Sequence, residues 1–174
     1  MPILPIVVVP HDSLGTQAEE IENIDDHIIR LAKNMAETMY VAPGIGIAAN
    51  QVNEQLRLIV VDVEYACLEP AERKKKPVFI INPVISLYEG ENIMEEGCLS
   101  VPDFGVDIAR PEIIQVRGVD LDGNPIKIET DGLLARALQH EIDHLDGTTI
   151  LDHASTLRRS IYKRKLKKKA KKEQ

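Results

Sequence analysis

His140, Glu141 and His144 spell H-E-x-x-H inside the segment GLLARALQHEIDHLD. On a helix, at about 100° per residue, positions i and i+4 sit roughly 40° apart around the axis. Both imidazoles can then reach one ion. Glu141 projects about 60° from His144, close enough to handle a proton on water at that ion without ligating it. The chemistry such a trio supports is hydrolysis by metal-activated water.

Two histidines do not complete a catalytic site, which commonly has three protein ligands and one open position. Two familiar metallopeptidase extensions of H-E-x-x-H can be checked. One requires a glycine three residues on, met by Gly147, and a ligand three further, where Ile150 cannot bind metal. The other requires a glutamate about twenty residues downstream, but Arg164 to Lys169 contains no acid. The third ligand should therefore lie upstream. Cys98, in EEGCLS, is the best candidate: Gly97 admits a close backbone approach, and a thiolate binds borderline metals strongly. His11, His27 and His153 compete, although surface or capping roles suit them better.

The elements that must place these residues can be read from periodicity. Asp131 is a good N-cap and Gly147 a good C-terminal breaker for the helix carrying the motif. Leu134, Leu138 and Leu145 share one face with Ile142 beside them, while Leu133, Ala137, His140 and His144 share the other. A helix apolar on two faces is buried between layers. An earlier helix is expected from about Asn23 to Tyr40, with Ile24, Ile28, Leu31, Met35 and Met39 inward. Strands are expected at Leu56 to Val63 and Val78 to Leu87, with a charged loop between. Ile113 to Val119 and Ile126 to Ile128 flank LDGNP as a hairpin. A last helix should start near Ser155 and dock through Leu157 and Ile161. The expected class is α+β, with antiparallel or mixed sheets packed around the buried H-E-x-x-H helix, an N-terminal helix and a basic C-terminal helix. Residues 1–157 read as the catalytic domain and 158–174 as its basic helical extension.

Bulk properties narrow the setting. At 174 residues, 44% hydrophobic and 28% charged, the chain can bury a core and is not of disordered type. Net charge is −7, but residues 158–174 hold ten Lys or Arg against Glu173 alone. A basic tail on an acidic body suits contact with a polyanion. The opening MPILPIVVVP reads poorly as a secretion signal, no apolar run is long enough for a membrane span, and two cysteines do not make a disulfide scaffold. The expected location is cytoplasmic, with no membrane or DNA partner.

GIGIAANQ, EGCLS and QHEIDH, in this order, resemble the three signature motifs of peptide deformylase. The likeness extends through the TMY–GIG junction, INP, LDGNP and the basic C-terminal helix, in the manner of the bacterial class with a helical tail. It implies release of formate from N-formylmethionyl nascent peptides. It implies one divalent ion, commonly Fe(II), with Zn(II), Ni(II) or Co(II) able to substitute, on Cys98, His140 and His144. Glu141 would be general base and then acid. Gln51 and the Leu99 amide would hold the formyl oxygen, although the residues alone make Gln51 an ordinary loop side chain. Ile45, Gly46 and Gly97 would pair with the peptide as an added strand, and Ile45, Leu133 and Ala137 would line a methionine pocket. Ribosome contact through the tail would accompany work on nascent chains.

The chain departs from the family pattern at HDSLGTQ, where many relatives carry an arginine–leucine pair, and at Gly105, where some carry a substrate-facing arginine. It also has a longer Glu64 to Pro77 segment. Two other classes compete: a metallopeptidase, and a non-catalytic metal- or ribosome-binding protein, which would have no use for Glu141.

Overall fold

The computed structural model describes residues 2–170. The end of the basic tail, 171–174, lies outside the described residues. Helix α1 spans Asp26–Val41, followed by the short strand β1 (Gly46–Ala48), β2 (Leu58–Val61), helix α2 (Val63–Cys67) and β3 (Val78–Glu89). Next come β4 (Asn92–Cys98), β5 (Val101–Arg110), β6 (Ile113–Val119) and β7 (Pro125–Thr130). Helices α3 (Gly132–Leu145), α4 (Ile150–His153) and α5 (Thr156–Ala170) complete the chain. Five strands form one sheet in the order β1-β2-β3-β6-β7, and β4 with β5 form a separate hairpin. Every strand pair is antiparallel, so of the two expected arrangements the antiparallel one is found.

The sheet lies between α1 and α3, and β2 shows why. Its LIVV run alternates, Leu58 and Val60 packing with Leu31, Met35 and Met39 of α1. Ile59 and Val61 pack with Leu138, Ile142 and Leu145 of α3. A strand buried on both faces reads as a continuous apolar run. Helix α1 begins three residues later than periodicity suggests. Asp25 accepts hydrogen bonds from the amides of His27 (2.9 Å) and Ile28 (3.0 Å), and this cap fixes the start ahead of the apolar stripe. Ile24 still packs on the same cluster, from outside the helix.

Two local devices shape the strands around the site. Beta-strand β3 shifts register against β6 between Ile81 and Val84, where Pro83 could not donate to the ladder. Asn82 there bonds both the amide and the carbonyl of Ile21, each at 2.9 Å. Gly147 ends α3 with φ +75°, the left-handed terminator its position suggested.

Three expectations need correction. The Glu64 to Pro77 segment is not wholly a loop, because Asp62 caps α2 through the Tyr65 amide at 3.1 Å. The β4–β5 hairpin is missing from the expected strands; its acids, Gly97 and Pro102 interrupt the apolar alternation. Leu157 and Ile161 do not dock α5, being 67% and 50% exposed. Tyr162 docks it instead, its ring tilted against that of Phe104 (centroids 4.9 Å) and its hydroxyl donating to the Pro102 carbonyl at 2.7 Å. An aromatic one position along the helix buries more area than either aliphatic and brings a polar handle.

Candidate functional site

Cys98, His140 and His144 converge, with one ligand atom of each within 4.8 Å of the others. Helix α3 places the two imidazoles one turn apart, their rings 4.9 Å between centroids. Cys98 arrives from the opposite side at the end of β4, where the hairpin register shifts between Gly97 and Cys98. Its Sγ lies 3.2 Å from Nε2 of His144.

Glu96 organises one wall of this centre. Two residues before Cys98 on the same strand, it shares that strand's face. Nδ1 of His140 donates to its Oε2 at 3.0 Å. A nitrogen that donates to a carboxylate leaves the other ring nitrogen with its lone pair, here Nε2 toward the centre. Glu96 also receives Arg110 Nε (2.6 Å) and Nη2 (2.9 Å) and Arg136 Nη1 (2.6 Å). Arg110 reaches on to Asp143 at 2.9 Å, and His153 meets the same carboxylate at 3.1 Å. Burial would raise the Glu96 carboxyl, but the bonds from His140 and Arg110 outweigh it and hold it well below the carboxylate range.

The donor set fits a divalent cation. Burial and the neighbouring His140 hold His144 well below its ordinary value, as suits a neutral imidazole ligand. Burial would lower His140 too, yet its bonds to Cys98 and Glu96 hold it well above. A thiolate with two imidazoles accepts Fe(II), Zn(II), Co(II) or Ni(II).

Glu141 faces the same centre without joining the triad. It is 4% exposed, and its Oε2 has no hydrogen-bond partner among the described residues. Burial pushes its pKa up to about 7. The space it occupies exists because residue 46 is glycine. A Cβ there would lie 2.9 Å from both Cγ and Cδ of Glu141, inside any tolerable contact.

Gln51 is buried, at 1% exposure. The Ala48 amide donates to its Oε1 at 2.9 Å, so Nε2 must point inward. There it donates to Ser100 Oγ at 3.2 Å and lies 3.7 Å from Cys98 Sγ. Neighbouring Asn50 donates to the His144 carbonyl, tying the GIGIAANQ segment to the end of α3. Ile45, Gly46, Gln51, Gly97, Cys98, Leu99, Leu133, Ala137, His140 and Glu141 all line one cleft of about 530 Å³. His144, 1% exposed, lies behind it. His11 caps a 3₁₀ turn at Asp12–Gly15. His27 is exposed, and His153 pairs with Asp143 rather than the neighbouring Asp152. None of the three joins the cluster.

Sequence reasoning missed Glu96, Arg110, Arg136 and Asn50. A signal existed for Glu96 and Arg136: a glutamate two positions before a candidate ligand, and an arginine inside a helix apolar on both faces, each point to a buried ion pair. Arg110, at the end of β5, offered none.

The family model for polypeptide deformylase matches residues 3–160. A peptide deformylase of Syntrophobacter fumaroxidans is 47% identical over 171 residues, covering 98% of either chain. One of Thermodesulfovibrio yellowstonii is 47% identical over 97% of this chain and 99% of its own. Among solved structures, the Ehrlichia chaffeensis peptide deformylase in complex with actinonin superposes with a TM-score of 0.88 at 41% identity, covering 97% of this chain and 98% of its own.

Proposed function

The chain belongs to the polypeptide deformylase family, a metal-dependent hydrolase that removes the N-formyl group from nascent peptides, and we propose the following division of labour. Cys98, His140 and His144 hold one divalent ion, Fe(II) in the first instance. When bound, that ion acidifies a water and polarises the formyl carbonyl.

The remaining steps belong to side chains and backbone. Glu141 takes the proton of the attacking water and returns it to the departing amine. Burial, which raises its carboxyl above the ordinary range, favours return of the proton as well as its uptake. Gln51 Nε2 and the Leu99 amide hold the oxygen that becomes negative as the water adds. The C–N bond then breaks, leaving formate and a free amino terminus. Backbone groups at Ile45, Gly46 and Gly97 pair with the extended peptide, and Ile45, Leu133 and Ala137 receive the methionine side chain. The observation that carries this reading is Glu141: buried, unpartnered at Oε2, and in the same cleft as two of the three ligand residues.

The test is formate release from formyl-Met-Ala-Ser under anaerobic conditions with the metal analysed. Cleavage of an internal peptide bond without formate would favour the metallopeptidase reading. The iron form should lose activity in air within hours, through oxidation of the ion or of Cys98. Nickel- or cobalt-loaded protein should outlast it. Equal lifetimes in air would remove iron from the assignment.

Residues 1–157 form the catalytic part in this reading, and 158–174 a basic extension that meets ribosomal RNA phosphate in the cytoplasm. Among the described residues no helix is long and apolar enough to cross a membrane, and no DNA contact belongs to the reading. Like charges one turn apart, Lys163 with Lys167 and Lys165 with Lys169, repel along α5, and phosphates would relieve that repulsion. Deleting residues 163–174 keeps Tyr162, and activity on a formylated tripeptide should hold. Co-sedimentation with ribosomes at low salt should disappear, and salt should weaken it in the full chain. Undiminished sedimentation of the truncated chain would reduce the tail to a solvated terminus.

A further inference from the structure

The amino-terminal arm has no part in the steps above, yet it touches both halves of the site. Residues 2–8 belong to no helix or strand. Leu4 and Ile6 pack on the apolar cluster of α1 and β2, while Val9 packs on that of β5, α4 and α5. The Leu4 amide also donates to Thr38 Oγ1 of α1 at 2.9 Å. Within this span lie two backbone bonds. The Val7 amide donates to the Gln51 carbonyl at 2.8 Å, and the Val9 amide to the Ser100 carbonyl at 2.9 Å.

Each bond meets a need of the fold. Gln51 and Ser100 are buried, and a buried carbonyl without a donor is costly. Residues Ala49–Val52 form a 3₁₀ turn, and the amides after it, of Asn53 and Glu54, return to the carbonyls of Ala49 and Asn50. The Gln51 carbonyl is left for Val7. Further along the same N-terminal stretch, the Ser13 hydroxyl donates to the Asn50 carbonyl at 2.9 Å. On the other side, Leu99 and Ser100 are the two-residue turn that joins β4 to β5.

These two loops carry the groups that hold the formyl oxygen in the proposed function, Gln51 Nε2 and the Leu99 amide, and the inference rests on that reading. The loops also meet through Gln51 Nε2 and Ser100 Oγ at 3.2 Å. A side-chain bond of that kind lets the two backbones slide, whereas an arm bonded to both backbones does not. Val7 and Val9 do not line the cleft, so they act through the loops, as positioning residues. We propose that the arm is a strap whose Val7 and Val9 amides fix the spacing of Gln51 and Leu99, and with it the fit of that pair to the oxygen that becomes negative. Donors aimed at developing charge act more strongly in the transition state than on bound substrate. Loosening the strap should therefore lower kcat and leave KM nearly unchanged.

The experiment makes single replacements in the full-length, metal-loaded protein and measures kcat and KM for formyl-Met-Ala-Ser, with metal content by elemental analysis. Val7→Pro removes the N–H that reaches Gln51. It should lower kcat about 10- to 100-fold, with KM close to wild type and the metal retained. Val7→Ala keeps the N–H and should match the wild type. Val8→Pro puts the same ring at the next position, whose amide makes no hydrogen bond among the described residues, and should also match it. If circular dichroism shows Val7→Pro unfolded, Ile6→Ala takes its place. It weakens the strap's anchor with both amides intact and should show the same split, kcat lowered and KM held. Wild-type kcat in the folded Val7→Pro or its substitute, an equal loss in Val8→Pro, or a loss confined to KM would overturn the proposal. Metal lost in step with rate would also overturn it, making the arm a support of the metal cluster instead. Absence of formate release from the wild-type enzyme would overturn the proposed function itself, a separate result.

Discussion

Replacing Glu141 with glutamine is expected to lower kcat by about 10² to 10⁴-fold while the protein keeps its metal. The substitution removes the proton carrier but none of the three ligand atoms of the cluster. It is nearly isosteric, so the contact with Gly46 survives. Cys98→Ala gives the opposite pattern, losing the metal or holding it weakly. The two readouts, metal content by elemental analysis and formate release at saturating substrate, separate the roles. Metal loss in Glu141→Gln with only a modest loss of rate would show that Glu141 is a ligand and not the base.

Glu96→Ala is expected to cause the largest loss of stability of any single change near the site. It strands two buried guanidiniums, Arg110 and Arg136, whose side chains are 6% and 8% exposed. Removing one partner of a buried ion pair costs about 3–5 kcal/mol. It also frees His140 Nδ1, and loss of such an orienting partner weakens metal binding by about 10- to 100-fold. Glu96→Gln keeps the shape and separates the two effects, because an amide oxygen can still accept from one arginine. Chemical denaturation with metal titration reads both. A midpoint unchanged in Glu96→Ala would mean the arginines find other partners.

What the sequence disclosed here follows from how local each signal is. The H-E-x-x-H helix was legible at both ends because Asp131 and Gly147 flank it and its period is regular, although Asp131 marks the start by position and makes no side-chain capping bond. Cys98 followed by elimination, because a metal demands a ligand count. Gln51 was not legible from its own neighbourhood. What fixes it is a bond to the Ala48 amide and the approach of Cys98 from forty-seven residues away, and such encounters are made by the fold. The same holds for Asn50 and the His144 carbonyl, ninety-four residues apart. The α5 docking face was misjudged for a related reason. Leu157, Ile161 and Tyr162 are comparable on apolarity alone, and only the position of Phe104 decides among them.

Those long separations bear on the birth of the molecule. Gly46, Gln51, Cys98 and His144 are brought together from widely spaced stretches of the chain, and strands with such non-local partners pair late. In the proposed reading, a polypeptide still emerging has no place for the ion until α3 is complete, because α3 carries two of the three proposed ligands. It therefore has no activity to turn on any N-terminus, its own included, before then.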